Sequence, residues 1–184
     1  MIYVFLANGF EEIEALTPVD LLKRAGFEVK TVAIGESTGE GKTVVGSHGI
    51  SVVADITESE FSYDSPEAII LPGGMPGTTN LEQSAVVIDA IVQSMVNNSL
   101  IGAICAAPSI LGICGCLKGR KATCFPGFEE YLDGAKVLNE RVVRDENIIT
   151  AKGMGCATEF SLCIIEALAG KEKADEIAIS AIIR

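Results

Sequence analysis

The feature that most restricts this chain is an alternation: short apolar runs, each followed by a stretch with helical spacing. IYVFLA (residues 2–7) is uninterrupted apolar sequence closed by Asn8-Gly9, as a strand buried on both faces reads. A helical pattern follows, with Leu16, Val19, Leu21 and Leu22 on its apolar side, and stops at Gly26. Pro18 leaves its start open. The helix begins either after a Thr17 cap, with Pro18 at the first position, or near Glu12, carrying the proline in its early turns. FEVKTVAI alternates like a strand, and KTVVGSHGISVVAD reads as two short strands joined around Ser47-His48-Gly49. EAIILPGG and SLIGAIC are two more buried strands, and residues 79–97 and APSILGICGCL are helical. RVVRDENIITA is a hairpin that turns at Asp145-Glu146-Asn147, residues 157–169 form an amphipathic helix ended by Gly170, and 171–182 is a last helical segment. This order predicts an α/β protein with a mostly parallel sheet covered on both faces. A length of 184 residues fits one domain spanning 1–184.

Charge and composition exclude several classes of function. The net charge is −11 and the basic residues are scattered, so nucleic acid is not an expected partner. MIYVFLA has neither a positive leader nor a cleavage site, and no apolar stretch reaches the roughly 20 residues of a membrane span. The expected location is the cytoplasm, where the six cysteines stay reduced. Cys114 and Cys116 form C-x-C without a second pair at finger spacing, so zinc is not expected. Together with Cys163 they read as small buried hydrophobes.

Open α/β sheets collect ligands beyond the carboxyl ends of their strands. Four such ends carry distinctive residues: Gly9 to Glu14, Leu71 to Gly77, Cys105, and Lys152 to Gly155. Cys105 stands where the strand SLIGAIC meets the helix starting near Pro108, with Ala103, Ala106 and Ala107 small enough for a tight bend. That is the logic of a nucleophile elbow, without the flanking glycines of G-x-S-x-G. Free amides at a helix start favour an anion, which predicts a thiol pKa below the ordinary value. Histidine is the usual partner for such a thiol, but the only one, His48, reads as an exposed turn residue. Glu14, between Ile13 and Ala15, is the better candidate. A carboxyl drawn into apolar surroundings has a raised pKa and can donate a hydrogen bond or act as general acid. Gly73 and Gly74 can offer amides to a developing oxyanion. GESTGEGKT (35–43) superficially resembles a phosphate loop. Its glycine spacing is wrong and a strand rather than a helix follows, so it reads as a solvated approach to the hairpin.

Taken together, GFEEIEALTPVDLLKRAG, LPGG, AAP after AIC, and GMGCATEFSLCIIEALAGKEKA resemble, in order, the ThiJ/PfpI superfamily in its Parkinsonism-associated deglycase branch. The resemblance covers nearly the whole chain. It implies a flavodoxin-like three-layer sandwich of the class I glutamine amidotransferase type, usually a homodimer, with no metal or organic cofactor. It makes Cys105 the reactive cysteine, Glu14 the carboxyl that hydrogen-bonds it, Gly73 and Gly74 the oxyanion-side glycines and Ala106 the next amide. It also favours the Glu12 start of the first helix.

Two departures bear on chemistry. Relatives often place a histidine before the proline that follows the nucleophile helix, and this chain has Phe125 before Pro126. Peptide hydrolysis is therefore disfavoured, since no histidine stands ready to protonate a leaving amine. Lys152 stands where relatives often carry arginine, which keeps charge but not bidentate binding. The expected function is a cofactor-free glyoxalase or deglycase acting on methylglyoxal-like 2-oxoaldehydes or early glycation adducts. The alternative is an oxidation-sensing, stress-protective protein or chaperone using the same cysteine.

Overall fold

A computed structural model describes residues 1–35, 42–64 and 66–183 of the chain. Most of the glycine-rich stretch read above as an approach to the hairpin, residues 36–41, lies outside the described residues.

The chain opens with β1 (Ile2–Ala7), α1 (Glu12–Arg24) and β2 (Val29–Ile34). The β3 (Thr43–Val45) and β4 (Ser51–Val53) strands make a small antiparallel pair, and β5 (Ile56–Thr57) returns to the main sheet. There follow β6 (Ala68–Leu71), α2 (Gly77–Glu82), α3 (Ala85–Asn97), β7 (Leu100–Ile104) and α4 (Pro108–Ile113). A two-residue pair, β8 (Lys121–Ala122) and β9 (Lys136–Val137), precedes the hairpin of β10 (Val142–Asp145) and β11 (Ile148–Ala151). The chain closes with α5 (Ala157–Ala169) and α6 (Lys171–Ser180).

The main sheet runs β10-β11-β7-β6-β1-β2-β5 and is parallel except at β10. Alternation along β1 shows why helices cover both faces. Ile2, Val4 and Leu6 pack with Leu22 of α1 and Phe160 of α5, while Tyr3, Phe5 and Ala7 pack with Leu81, Ile91 and Ile110 of α2, α3 and α4. A strand buried on both sides has no polar alternation to show, hence its continuous apolar reading. Gly102 in β7 lets Phe160 lie close, since a Cβ there would come 2.9 Å from the Phe160 ring.

The first helix starts at Glu12 and runs through Pro18, capped by Glu11, whose carboxylate accepts from the Glu14 amide at 2.7 Å. The expected helix over 79–97 is two helices broken at Gln83-Ser84, where the Ser84 hydroxyl caps α3. The helix after Cys105 is also shorter than expected, six residues ending at Ile113 with Cys114 as its cap. Cys114, Cys116 and Cys163 are half-buried rather than buried.

The chain leaves β1 toward β2 on one side and later returns to β6 on the other, so the switch point falls between β1 and β6. The neighbouring parallel strands β11, β7, β6 and β1 therefore deliver all four distinctive loops to one rim.

Candidate active site

Cys105 sits at the bend between β7 and α4 with φ of +65°, a left-handed conformation costing a non-glycine residue roughly 1–2 kcal/mol. Two hydrogen bonds hold it there: its amide donates to the Ala151 carbonyl and its carbonyl accepts from the Phe125 amide, both at 2.8 Å. Buried Ala106 and Ala107 make the turn compact, and Pro108 takes the first position of α4. The thiol is half-buried, open enough to meet a small molecule.

Glu14 projects from the first turn of α1 into the same place. It is 1% exposed, and its Oε2 accepts from the Gly73 amide at 2.9 Å. Its Oε1 is buried with no well-formed hydrogen bond, although the Cys105 thiol and the Met154 amide lie close enough to weigh on the carboxyl. Only glycine fits at residue 73: a Cβ would stand 2.6 Å from Cys105 Cβ and 2.7 Å from Glu14 Oε2. Gly74 has φ of +88°, and a Cβ on it would run into the Glu11 backbone at 2.4 Å.

The sequence treats the two glycines alike, but the structure separates them. Gly73 spends its amide on Glu14. The amides that face the sulfur are those of Gly74 and Ala106.

Burial pushes the Glu14 carboxyl up to about 7. The neighbouring Glu11 charge adds to this, while the Cys105 thiol and the Gly73 and Met154 amides oppose it. Burial also pushes the thiol up to about 12, reinforced by the charge and hydrogen bonding of Glu14 and opposed by the Ala106 and Gly74 amides. This reverses the expectation of a lowered thiol pKa. A six-residue helix and two amides are outweighed by desolvation and an adjacent carboxylate. Between those values the pair holds a single proton, shared by oxygen and sulfur.

His48 is exposed, as its turn position suggests, but it is not idle. Its Nδ1 lies 2.8 Å from Glu12 Oε2, and its amide donates to Glu12 Oε1 at 2.8 Å. Burial works to raise the Glu12 carboxyl, yet the bonds from His48 and from backbone amides win and hold it at about 2. Glu11, Glu12 and His48 bring potential metal-ligand atoms within 4.8 Å of one another. Those groups are already engaged: Glu11 caps α1, and Glu12 takes bonds from His48, Ser47 and Ile50. The sequence offered no sign of this second carboxylate's role, because Glu12 and Glu14 share one helical turn and both are buried. Lys152 bonds to Asn139 and, with Thr123, Cys124 and Glu129, lines a separate cavity of about 250 Å³.

Fold and bend together define a flavodoxin-like α/β protein with a strained cysteine at the carboxyl rim of its sheet and a buried carboxyl against it. The chain belongs to the DJ-1/PfpI family, whose model matches residues 1–167. It is similar to the structure of oxidized DJ-1 from Toxoplasma gondii, with a TM-score of 0.92, 34% identity and coverage of 98% of this chain and 97% of that one. A glutathione-independent glyoxalase of Caenorhabditis elegans is 34% identical over 169 residues, 91% of this chain and 87% of that protein. DJ-1 homolog B of Arabidopsis thaliana is 36% identical over 183 residues, 99% of this chain, but the chain spans only 41% of its length. Among the described residues, no helix is long and apolar enough to cross a membrane.

Proposed function

We propose that this chain is a cofactor-free, cysteine-dependent enzyme converting 2-oxoaldehydes of the methylglyoxal type, free or as early glycation adducts, to 2-hydroxy acids. The observation that carries the reading is a carboxyl lifted to about 7 and held against a strained, half-buried thiol toward which two amides point. A base poised near neutrality suits proton transfer at working pH. The similarity to a protein named a glutathione-independent glyoxalase supports the same chemistry.

Glu14 takes the thiol proton as the sulfur attacks the aldehyde carbon, giving a hemithioacetal. The Gly74 and Ala106 amides stabilise the oxygen that gains charge. Glu14 returns the thiol proton to that oxygen, then carries the proton of the former aldehyde carbon to the neighbouring carbonyl carbon through an enediol while the hemithioacetal hydroxyl proton passes to the second oxygen, leaving a thioester beside a new alcohol. Water releases the 2-hydroxy acid and restores the thiol. One carbon is oxidised and its neighbour reduced, so the balance needs water alone.

The test is turnover of methylglyoxal followed by proton NMR of the product in wild type, Cys105→Ala and Glu14→Gln. Lactate from the wild type and none from Cys105→Ala supports the reading; undiminished turnover in Cys105→Ala overturns it.

Glu14 Oε1, buried without a well-formed bond, favours a second reading as an oxidation sensor: once protonated it can donate to an oxidised sulfur. Peroxide that adds two oxygens to Cys105, in a protein that turns over no aldehyde, would support the sensor. We further propose that the chain acts as a single-domain homodimer. The exposed Ile13 on α1 and Ile50 and Val53 on the β4 segment give apolar surface for a second copy, and sedimentation tests it.

A further inference from the structure

Apolar side chains adjoin the acid and thiol. The hydrogen bond that the Phe125 amide donates to the Cys105 carbonyl fixes Phe125 beside the bend. Its side chain reaches over Gly153. A Cβ built there would lie 3.4 Å from Phe125 Cδ2 and 3.8 Å from Glu14 Oε1, so ring and carboxyl both approach the same side of Gly153. Phe125 is nevertheless 46% exposed. Met75, next to the Gly74 amide that faces the sulfur, is 54% exposed, and Met154, whose own amide faces Glu14, is 53% exposed. Single exposed apolar side chains are ordinary, but here three belong to residues that adjoin one buried polar pair, and the Phe125 ring lies near its carboxyl.

Charge points the same way. The strongest influences on Glu14 and Cys105 are burial, each other, the Glu11 charge and backbone amides, with no cation among them. Lys152 is turned to Asn139 and its separate cavity. An anionic substrate would meet Glu11 and Glu14 without a counter-charge.

We infer that the site prefers neutral 2-oxoaldehydes carrying an aryl or bulky apolar substituent, and that Phe125 sets this preference. The inference rests on the reading of Cys105 and Glu14 given above. A ring stacked on or against Phe125 gains apolar contact that a methyl group cannot reach.

The experiment compares kcat/KM for phenylglyoxal and methylglyoxal in wild type, Phe125→Leu and Phe125→Ala. The intrinsic reactivities of the two aldehydes cancel when the ratio is compared between variants. The aryl-to-methyl ratio should fall roughly 3- to 10-fold in Phe125→Ala, and less in Phe125→Leu, which keeps an apolar side chain. A ratio within twofold of wild type in Phe125→Ala, with methylglyoxal still turned over, overturns the inference and leaves the proposed activity standing. If the wild type turns over neither aldehyde, the proposed activity fails. The preference is then read from the rate at which phenacyl bromide and bromoacetone alkylate Cys105, followed by intact mass. An aryl preference lost in Phe125→Ala upholds the inference, and one indifferent to Phe125 overturns it.

Discussion

Gly73→Ala places a methyl group between nucleophile and carboxyl, and its effect follows from distances. The new Cβ would lie 2.6 Å from Cys105 Cβ, 2.7 Å from Glu14 Oε2 and 2.9 Å from the Ile104 carbonyl oxygen. Ordinary contact begins near 3.4 Å, so the two side chains must each retreat by roughly 0.7–0.8 Å. Neither can do so freely. Cys105 is held by backbone bonds on both sides, and Glu14 is tied to the very amide that the added methyl group would crowd. Overpacking of this kind costs about 1–3 kcal/mol, which for a chain of this size lowers Tm by roughly 2–12 °C. A displacement approaching 1 Å at reacting groups costs on the order of 10²-fold in rate. The assay pairs a thermal melt with kcat/KM for methylglyoxal and the rate of Cys105 alkylation. Gly155→Ala is the control, since nothing lies within 4 Å of its added Cβ. A Gly73→Ala variant that melts and reacts like the control would refute the placement of Glu14 against Cys105.

Glu14→Gln removes the charge that helps push the thiol to about 12, so the midpoint of Cys105 alkylation against pH should fall toward 9; a rise would mean that Glu14 normally holds the shared proton. The same change alters stability: Glu14's folded pKa lies above 4.5, so wild-type stability drops as pH rises from 4.5 to about 7, and denaturation midpoints of the Gln variant should lack that slope. Glu12 has the opposite sign, its pKa being lowered to about 2, so its contribution is present above pH 4.5 and lost on acidification toward 2; Glu12→Gln should flatten that limb of an acid titration followed by circular dichroism. Finally, φ of +65° suits glycine, so Cys105→Gly should be more stable than Cys105→Ala by about 1 kcal/mol, and equal melting temperatures would deny that the bend is strained.

The sequence made the strongly patterned parts of the fold legible. β1, β6 and β7 are continuous apolar runs because both faces of their sheet are covered, and Gly26 and Gly170 mark where α1 and α5 stop. The two-residue strands β5, β8 and β9 are too short to show any period, so they were invisible. The break between α2 and α3 hid inside a stretch whose apolar spacing continues across Ser84. At the site, Cys105 announced itself by its position between a strand and small residues. What could not be read was direction. Adjacent glycines at 73 and 74 send their amides to different atoms, and Glu12 and Glu14 leave the same helical turn for His48 and Cys105 respectively. The sign of the thiol's shift was also out of reach, because it depends on how deeply the neighbouring carboxylate is packed.

The bonds that fasten both ends of the Cys105 peptide have a bearing on durability. Its amide is anchored to the end of β11 and its carbonyl to the segment carrying Phe125, so the reactive bend cannot fray alone. Amide hydrogens at Cys105 and Phe125 should exchange with solvent only through the large openings that release the sheet itself. Any loss of reactivity on heating would then track global melting, and the nucleophile would keep its aim until the fold is gone.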